Sequence, residues 1–245
     1  MRITFIGSGG SKVTKRRCCS SILIDEDTLI DCGPGSIRNL RFIDKDLLSI
    51  DRILVSHMHA DHIADLIPIL WAMQLDGRSR SLTLIGPKGL KSIVDRLLEL
   101  LGTPTSFIEY PISYIELDGG EKLEDLSTRR VEHSIHTIAY RLDVEGKSIC
   151  YSGDTRPCKS LVDLAYRADV LIHEASFPIL YADIAIKTGH STSMEAGMIA
   201  SKASVGKLIL FHISVEEYED TIVSEAESVF SGDIIVAEDF LSIEV

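Results

Sequence analysis

Three imidazoles and a carboxylate fall within the six residues His57-Met58-His59-Ala60-Asp61-His62. Such a concentration of polar side chains is costly in a folded interior unless a cation binds it. Nitrogen and oxygen donors of this kind suit Zn²⁺. Ligands alternating along an extended or turning backbone diverge toward two centres, so the H-x-H-x-D-H run points to a pair of metals. Three later residues stand where apolar, strand-like runs end: His133 after Arg129–Glu132, Asp154 in Ser152-Gly153-Asp154-Thr155, and His212 after Leu208–Phe211. Alone, each would read as a turn residue or an ordinary histidine. Beside the six-residue cluster they are the natural completion of two sites, and Asp154, with two oxygens, can bridge both. Paired cations acidify a bound water for attack and stabilise charge on an oxyanion or a phosphorane-like transition state. Asp61 is well placed to orient that water or accept its proton. Esters, lactams, thioesters and phosphodiesters all remain open as substrates.

A second group narrows the choice. His173-Glu174-Ala175-Ser176 closes an apolar run, and Gly189-His190-Ser191-Thr192 precedes a helical segment. Cleaving a phosphodiester expels an alkoxide, which needs a proton, and a histidine held by a carboxylate can supply it. His190 and Glu174 would form such a pair. The plainer alternatives are a helix-entry histidine beside an N-cap at Thr192 or Ser193, and a polar strand end.

The elements that must carry these residues follow from periodicity. Strands are expected at Met1–Ile6, Ser21–Ile24, Thr28–Asp31, Arg52–Ser56 and Leu82–Pro87, then near Arg129–His133, Ile138–Val144, Ser148–Ser152, Val170–His173 and Lys207–His212. Helical spacing runs through Asp61–Leu75, Lys88–Leu101, Ser160–Ala168, Ser193–Ser204 and Val215–Phe230. The first ligands therefore lie on a strand-to-helix turn. Two β-rich halves with helices outside imply two sheets packed face to face between helical layers, with ligands on loops along one edge.

The chain has 245 residues, 45% of them hydrophobic, which is enough for a sizeable core in one large domain. We expect a single domain over 1–245. No apolar stretch is long enough to span a bilayer, and the amino terminus reads as a first strand, not a signal peptide. Five cysteines with no C-x-x-C pair suggest reduced, structurally unremarkable thiols and a cytoplasmic setting. The formal net charge of −12 opposes nucleic-acid binding through the whole surface and leaves only a local basic patch for that role. One candidate is Lys12, Lys15, Arg16 and Arg17 after the Gly7-Ser8-Gly9-Gly10-Ser11 turn, whose backbone N–H groups could face phosphate. A solvated hairpin tip explains the same residues equally well. His136 is expected to lie on the surface or behind the ligands.

The ordered set of an H-x-H-x-D-H loop, a downstream His, an Asp and a final His resembles the metallo-β-lactamase superfamily over essentially the whole chain. That resemblance implies an αββα sandwich. It places His57, His59 and His133 on one metal, Asp61, His62 and His212 on the other, and Asp154 between them. Because His59 stands where an oxygen-handling di-iron relative has Glu, hydrolysis with two Zn²⁺ is favoured, with Mn²⁺ an alternative. The segments around Glu174 and His190, with Ser152–Pro157, Gly86–Leu90 and Asp31–Gly35, are similar to the RNase Z group, which processes transfer-RNA 3′ ends. This implies that His190 is the general acid, that Glu174 orients it, and that the substrate is a phosphodiester such as precursor transfer RNA, with a homodimer as one possible assembly. The chain departs from that group in more than one respect. His212 sits in Phe211-His212-Ile213-Ser214, close to but not the same as the group's usual aromatic-containing stretch. Only 21 positions separate His133 from Asp154, too few for the long arm that grips transfer RNA. A small cyclic nucleotide or lactone is therefore the alternative substrate, and a non-catalytic RNA- or protein-binding subunit is a third reading.

Overall fold

The computed structural model describes residues 1–103 and 105–245. The amino-terminal half forms β1 (Arg2–Gly7), β2 (Ser21–Ile24), β3 (Thr28–Ile30), α1 (Ser36–Phe42), β4 (Arg52–Leu54), α2 (Ala60–Ile63), α3 (Leu66–Leu75), β5 (Leu82–Pro87), α4 (Leu90–Leu100) and β6 (Ile112–Leu117). The remainder forms β7 (Lys122–Leu123), β8 (Leu126–Val131), β9 (Thr137–Val144), β10 (Lys147–Tyr151), α5 (Lys159–Ala165), β11 (Val170–Glu174), α6 (Ala182–Thr188), α7 (Ser193–Ala203), β12 (Lys207–Phe211), α8 (Glu219–Glu227), β13 (Asp233–Val236) and β14 (Ser242–Glu244).

One sheet has the order β14-β1-β2-β3-β4-β5-β6 and the other β13-β12-β11-β10-β9-β8-β7. Each is antiparallel on one side and parallel on the other: β3, β4, β5 and β6 run parallel, as do β10, β11, β12 and β13. Strands covered on both faces read as continuous apolar runs, and alternate residues serve different layers. Ile53 packs under the helices of its own half while Leu54 faces the opposite sheet. Leu171 and Ile172 divide in the same way in the other half. Three apolar layers therefore stack between helices, sheet, sheet and helices, and the molecule is an αββα sandwich.

The structure corrects several boundaries. The helical run expected over Asp61–Leu75 is two helices, broken at Ala64 and Asp65. Asp65 donates its backbone N–H to Cys32 O at 2.9 Å, and its carboxylate accepts from Gly35 N and Ile37 N. Those tertiary bonds turn the chain where apolar periodicity alone would continue it. The expected Arg52–Ser56 strand ends at Leu54, freeing Ser56 and His57 for the site. Within Val215–Phe230, the regular α-helix spans only Glu219–Glu227. Helices α1 and α6 and strands β6, β7, β13 and β14 lie outside the elements that periodicity picks out, because they are short or carry exposed polar faces. All five cysteines are free, four of them buried and Cys18 partly so. No described helix is long and apolar enough to cross a membrane.

Candidate metal centre

The parallel strands deliver the site. Ligands in open α/β sheets gather beyond the carboxyl ends of the strands, and here both sheets present such ends along one edge. Ser56 and His57 follow β4, and His59 caps the start of α2, which carries Asp61 and His62. Asp154 follows β10, Glu174 ends β11, and His212 follows β12. His133 lies just past β8, and His190 lies in the link between α6 and α7.

All seven anticipated ligands converge. His57, His59, His133 and Asp154 form one donor group and Asp61, His62, Asp154 and His212 another, with the donor atoms of each lying within 4.8 Å of one another. In the first group, His57 Nε2 is 3.0 Å from His59 Nδ1 and 3.6 Å from Asp154 Oδ2, and His133 Nε2 is 3.2 Å from His59 Nδ1. In the second, His62 Nε2 is 3.2 Å from Asp154 Oδ2 and 3.6 Å from Asp61 Oδ2, while His212 Nε2 is 3.4 Å from Asp61 Oδ2 and 3.6 Å from Asp154 Oδ1. Donors about 2.0–2.1 Å from one tetrahedral cation are roughly 3.3–3.4 Å apart, so spacings of 3.0–3.6 Å leave the donors grouped as a cation would need them. Unpaired donors agree. His62 Nε2 and both oxygens of Asp154 are buried without a hydrogen-bond partner. Leaving such atoms orphaned is expensive, and cations would satisfy all three.

The second ring nitrogen of most of these imidazoles is already held, which fixes ring orientation. His62 Nδ1 meets Asp31 Oδ2 at 2.8 Å, His133 Nδ1 donates to Gly189 O at 2.8 Å, His212 Nδ1 meets Ser176 Oγ at 2.8 Å, and His57 Nδ1 meets Ser56 Oγ at 3.1 Å. His59 instead turns Nδ1 inward. Asp31 and Ser176 have supporting roles that sequence reasoning did not assign. Asp31 also accepts from Ser56 N at 2.7 Å, Ser56 Oγ at 2.8 Å and Tyr151 OH at 2.8 Å. Its φ of 57° is left-handed, as is that of His212 at 58°. Such backbone strain persists where surrounding bonds over-determine it.

Electrostatics sharpen the picture. Burial opposes a proton on His62, but Asp154 and Asp31 outweigh it and raise its pKa well above 6.5. Burial and three neighbouring imidazoles hold His57 well below 6.5, against the pull of Asp154. Burial also opposes the Asp61 carboxylate, yet His212 and His62 hold its pKa well below the usual 3.8. The buried carboxylates thus draw positive charge onto the neighbouring imidazoles, a demand that divalent cations would also meet.

His190 and Glu174 meet as expected, with Nδ1 3.0 Å from Oε1. Glu174 Oε1 also accepts from Thr155 N at 2.7 Å, and Oε2 accepts from Ser176 Oγ at 2.6 Å. Burial disfavours imidazolium at His190, but Glu174 and then Asp154 overcome it and raise the pKa to about 9. Cations beside it would lower that value toward the range useful to a general acid. Arg156 anchors this loop. It donates to His190 O and makes a two-pronged ion pair with Glu195, which closes a capping box with Thr192 at the start of α7.

The glycine-rich turn behaves otherwise. Gly9 N donates to Cys18 O and Gly10 N to Ile213 O, so these amides are not free for phosphate. Arg17 is buried against Ser8, Ala237 O and Glu219, and Arg16 pairs with Glu219 and Glu238. Of the four basic residues in this run, Lys12 and Lys15 stay exposed without an ion pair among the described residues. A side chain at Gly10 would press within 3.2 Å of the His212 ring, so the turn serves close packing beside that histidine. His136 is partly exposed, with Nε2 2.8 Å from Asp118 O, as anticipated for a surface role.

The fold and donor set define a metallo-β-lactamase-type hydrolase: the beta-lactamase superfamily domain model matches residues 27–213, and the chain belongs to that family. Within it, the chain falls in the RNase Z-like group. It is 30% identical to ribonuclease Z of Methanosarcina mazei, covering 100% of this chain and 98% of the relative. That alignment runs over 303 positions against 245 residues here, so the relative carries additional segments. Among solved structures, the metallo-β-lactamase fold protein YhfI from Bacillus subtilis matches with a TM-score of 0.86 at 25% identity, covering 100% of this chain and 98% of that one. The short form of human tRNase Z matches with a TM-score of 0.83 at 25% identity, covering 100% and 99%. The protein is therefore a metal-dependent hydrolase of the RNase Z-like kind.

Proposed function

We propose that this enzyme is a phosphodiesterase using two divalent cations, zinc foremost, and that precursor transfer RNA is its leading substrate. His57, His59 and His133 would hold one ion, Asp61, His62 and His212 the other, with Asp154 shared. When bound, such a pair supplies acidified water as nucleophile and positive charge against the phosphorane-like transition state. Asp61, partly exposed at the rim, orients the attacking water. His190 gives its proton to the departing oxygen, with Glu174 fixing the ring by the 3.0 Å contact at Nδ1 and leaving Nε2 toward substrate. Ser176 links the two halves of this machinery, since its hydroxyl lies 2.8 Å from His212 Nδ1 and 2.6 Å from Glu174. A neighbouring copy in a homodimer would supply further RNA-binding surface.

The observation that carries the reading is the convergence of two largely buried donor groups on one carboxylate beside a Glu-held histidine. It is tested by hydrolysis of bis(p-nitrophenyl) phosphate after loading with zinc, manganese or cobalt. Turnover is expected; none with any of the three would end the proposal.

A specific observation favours a second reading, in which the substrate is a smaller ester such as a cyclic nucleotide. Strands β9 and β10 and their tight turn consume the interval between His133 and Asp154, so no substrate-gripping arm is built there. Faster cleavage of 2′,3′- or 3′,5′-cyclic nucleotides than of precursor transfer RNA would favour it.

A further inference from the structure

A depression of about 430 Å³ opens beside the metal centre, on the far side of His133. Its wall includes Arg130, Glu132, Arg156, Lys187 and Gly189. Arg156 is committed to Glu195 and His190 O. Arg130 and Lys187 are different. They are exposed, they come from separate elements, and neither makes an ion pair or a side-chain hydrogen bond among the described residues. Glu132 is the one carboxylate in the wall, so an excess of positive charge remains there in a chain whose net charge is −12. Elsewhere, exposed cations such as Lys88, Lys91 and Lys159 are matched by nearby carboxylates.

The position gives this charge a direction. His133 ligates on one side and borders the depression on the other, and Gly189, which accepts from His133 Nδ1 at 2.8 Å, immediately precedes His190. His190 serves the departing oxygen, so the depression lies on the leaving-group side of the bond to be cut. Resting on the phosphodiesterase reading above, we propose that Arg130 and Lys187 hold the adjacent phosphate of a nucleic-acid strand on that side, setting its register across the metal centre. A Lys and an Arg from different elements converging on one phosphate is ordinary backbone recognition, which positions a strand without reading its sequence. It also gives an acidic protein a local means of engaging RNA.

The test compares an Arg130→Ala/Lys187→Ala variant with the parent and with Lys202→Ala, a charge control on α7. A short single-stranded RNA competes against hydrolysis of bis(p-nitrophenyl) phosphate, which has no adjacent phosphate. The ratio of RNA Ki to bis(p-nitrophenyl) phosphate KM is expected to rise at least fivefold in the double variant and not in Lys202→Ala. The dependence of log Ki on log salt should become shallower by about 0.7, the slope that neutralising one phosphate of a single strand carries. An unchanged ratio and salt slope would overturn the proposal, as would failure of the RNA to compete with the parent. Absence of any bis(p-nitrophenyl) phosphate turnover would instead sink the hydrolytic reading. Filter binding of the same RNA to the same three proteins would then read the depression on its own, with equal affinities again overturning it.

Discussion

His190 Nδ1 stands 3.0 Å from Glu174 Oε1, and the same carboxylate accepts from Ser176, whose hydroxyl contacts His212. His190 and His212 are thus oriented through a shared buried carboxylate. Replacing His190 should therefore separate chemistry from metal binding.

For His190→Ala, metal content should remain that of the parent while phosphodiester hydrolysis falls by about 10²–10⁴-fold. The loss should be largest with poor leaving groups, because p-nitrophenolate needs little protonation. Rates across a series of substituted aryl esters, measured beside metal content, check this. Loss of metal would show that His190 is structural instead.

Asp31 accepts four hydrogen bonds, one involving the ring of His62. Asp31→Ala removes the support of the His62 ring and strands Tyr151 OH and Ser56 in the interior. Metal affinity should drop about 10–100-fold, with a further loss of stability of a few kcal/mol from the unsatisfied groups. Competition with a chromophoric chelator and urea unfolding measure the two effects separately.

Arg17 is buried and pairs with Glu219 at 2.8 Å. Arg17→Met leaves Ser8 Oγ and Ala237 O without their donor in the interior and should destabilise by about 1–3 kcal/mol, the usual cost of a buried polar group left unsatisfied; Glu219, partly exposed and still paired with Arg16, adds little. Unfolding midpoints in urea provide the check.

The same pair predicts a pH effect. Burial opposes ionisation of Glu219, but Arg17 and then Arg16 outweigh it and hold its pKa below the usual 4.5. A carboxylate with a folded-state pKa below its unfolded value contributes stability above the unfolded value and loses it as pH falls through the folded one. Glu219→Gln should therefore cost stability near neutrality and flatten the acid limb of the stability curve below about pH 4.5. A parallel offset of the two curves down to strong acid would contradict this assignment.

Much of the site can be read from the residues because metal chemistry constrains spacing tightly. The H-x-H-x-D-H run, with Asp154 and His212 at the ends of buried strands, gathers as expected. The αββα layering follows from strands such as β11, whose Val170, Leu171 and Ile172 supply apolar side chains to both faces. Contacts that depend on distant chain segments are not legible in the same way. Asp31 meets His62 across 31 positions and Tyr151 across 120. The break between α2 and α3 arises from Asp65 bonding to Cys32 and the Gly35 turn, while the helical periodicity runs on through it. The basic run at residues 12–17 suggests a phosphate site, yet Glu219 and Glu238, more than 200 positions away, claim both arginines.

Direct determination of metal stoichiometry tests the account most simply. Protein stripped with chelator and titrated with zinc should bind two equivalents per chain, and Asp154→Ala, lacking the shared carboxylate, should lose tight binding at both positions. Binding of no zinc, or full retention of both ions by Asp154→Ala, would contradict the central claim that two cations are held around that one side chain.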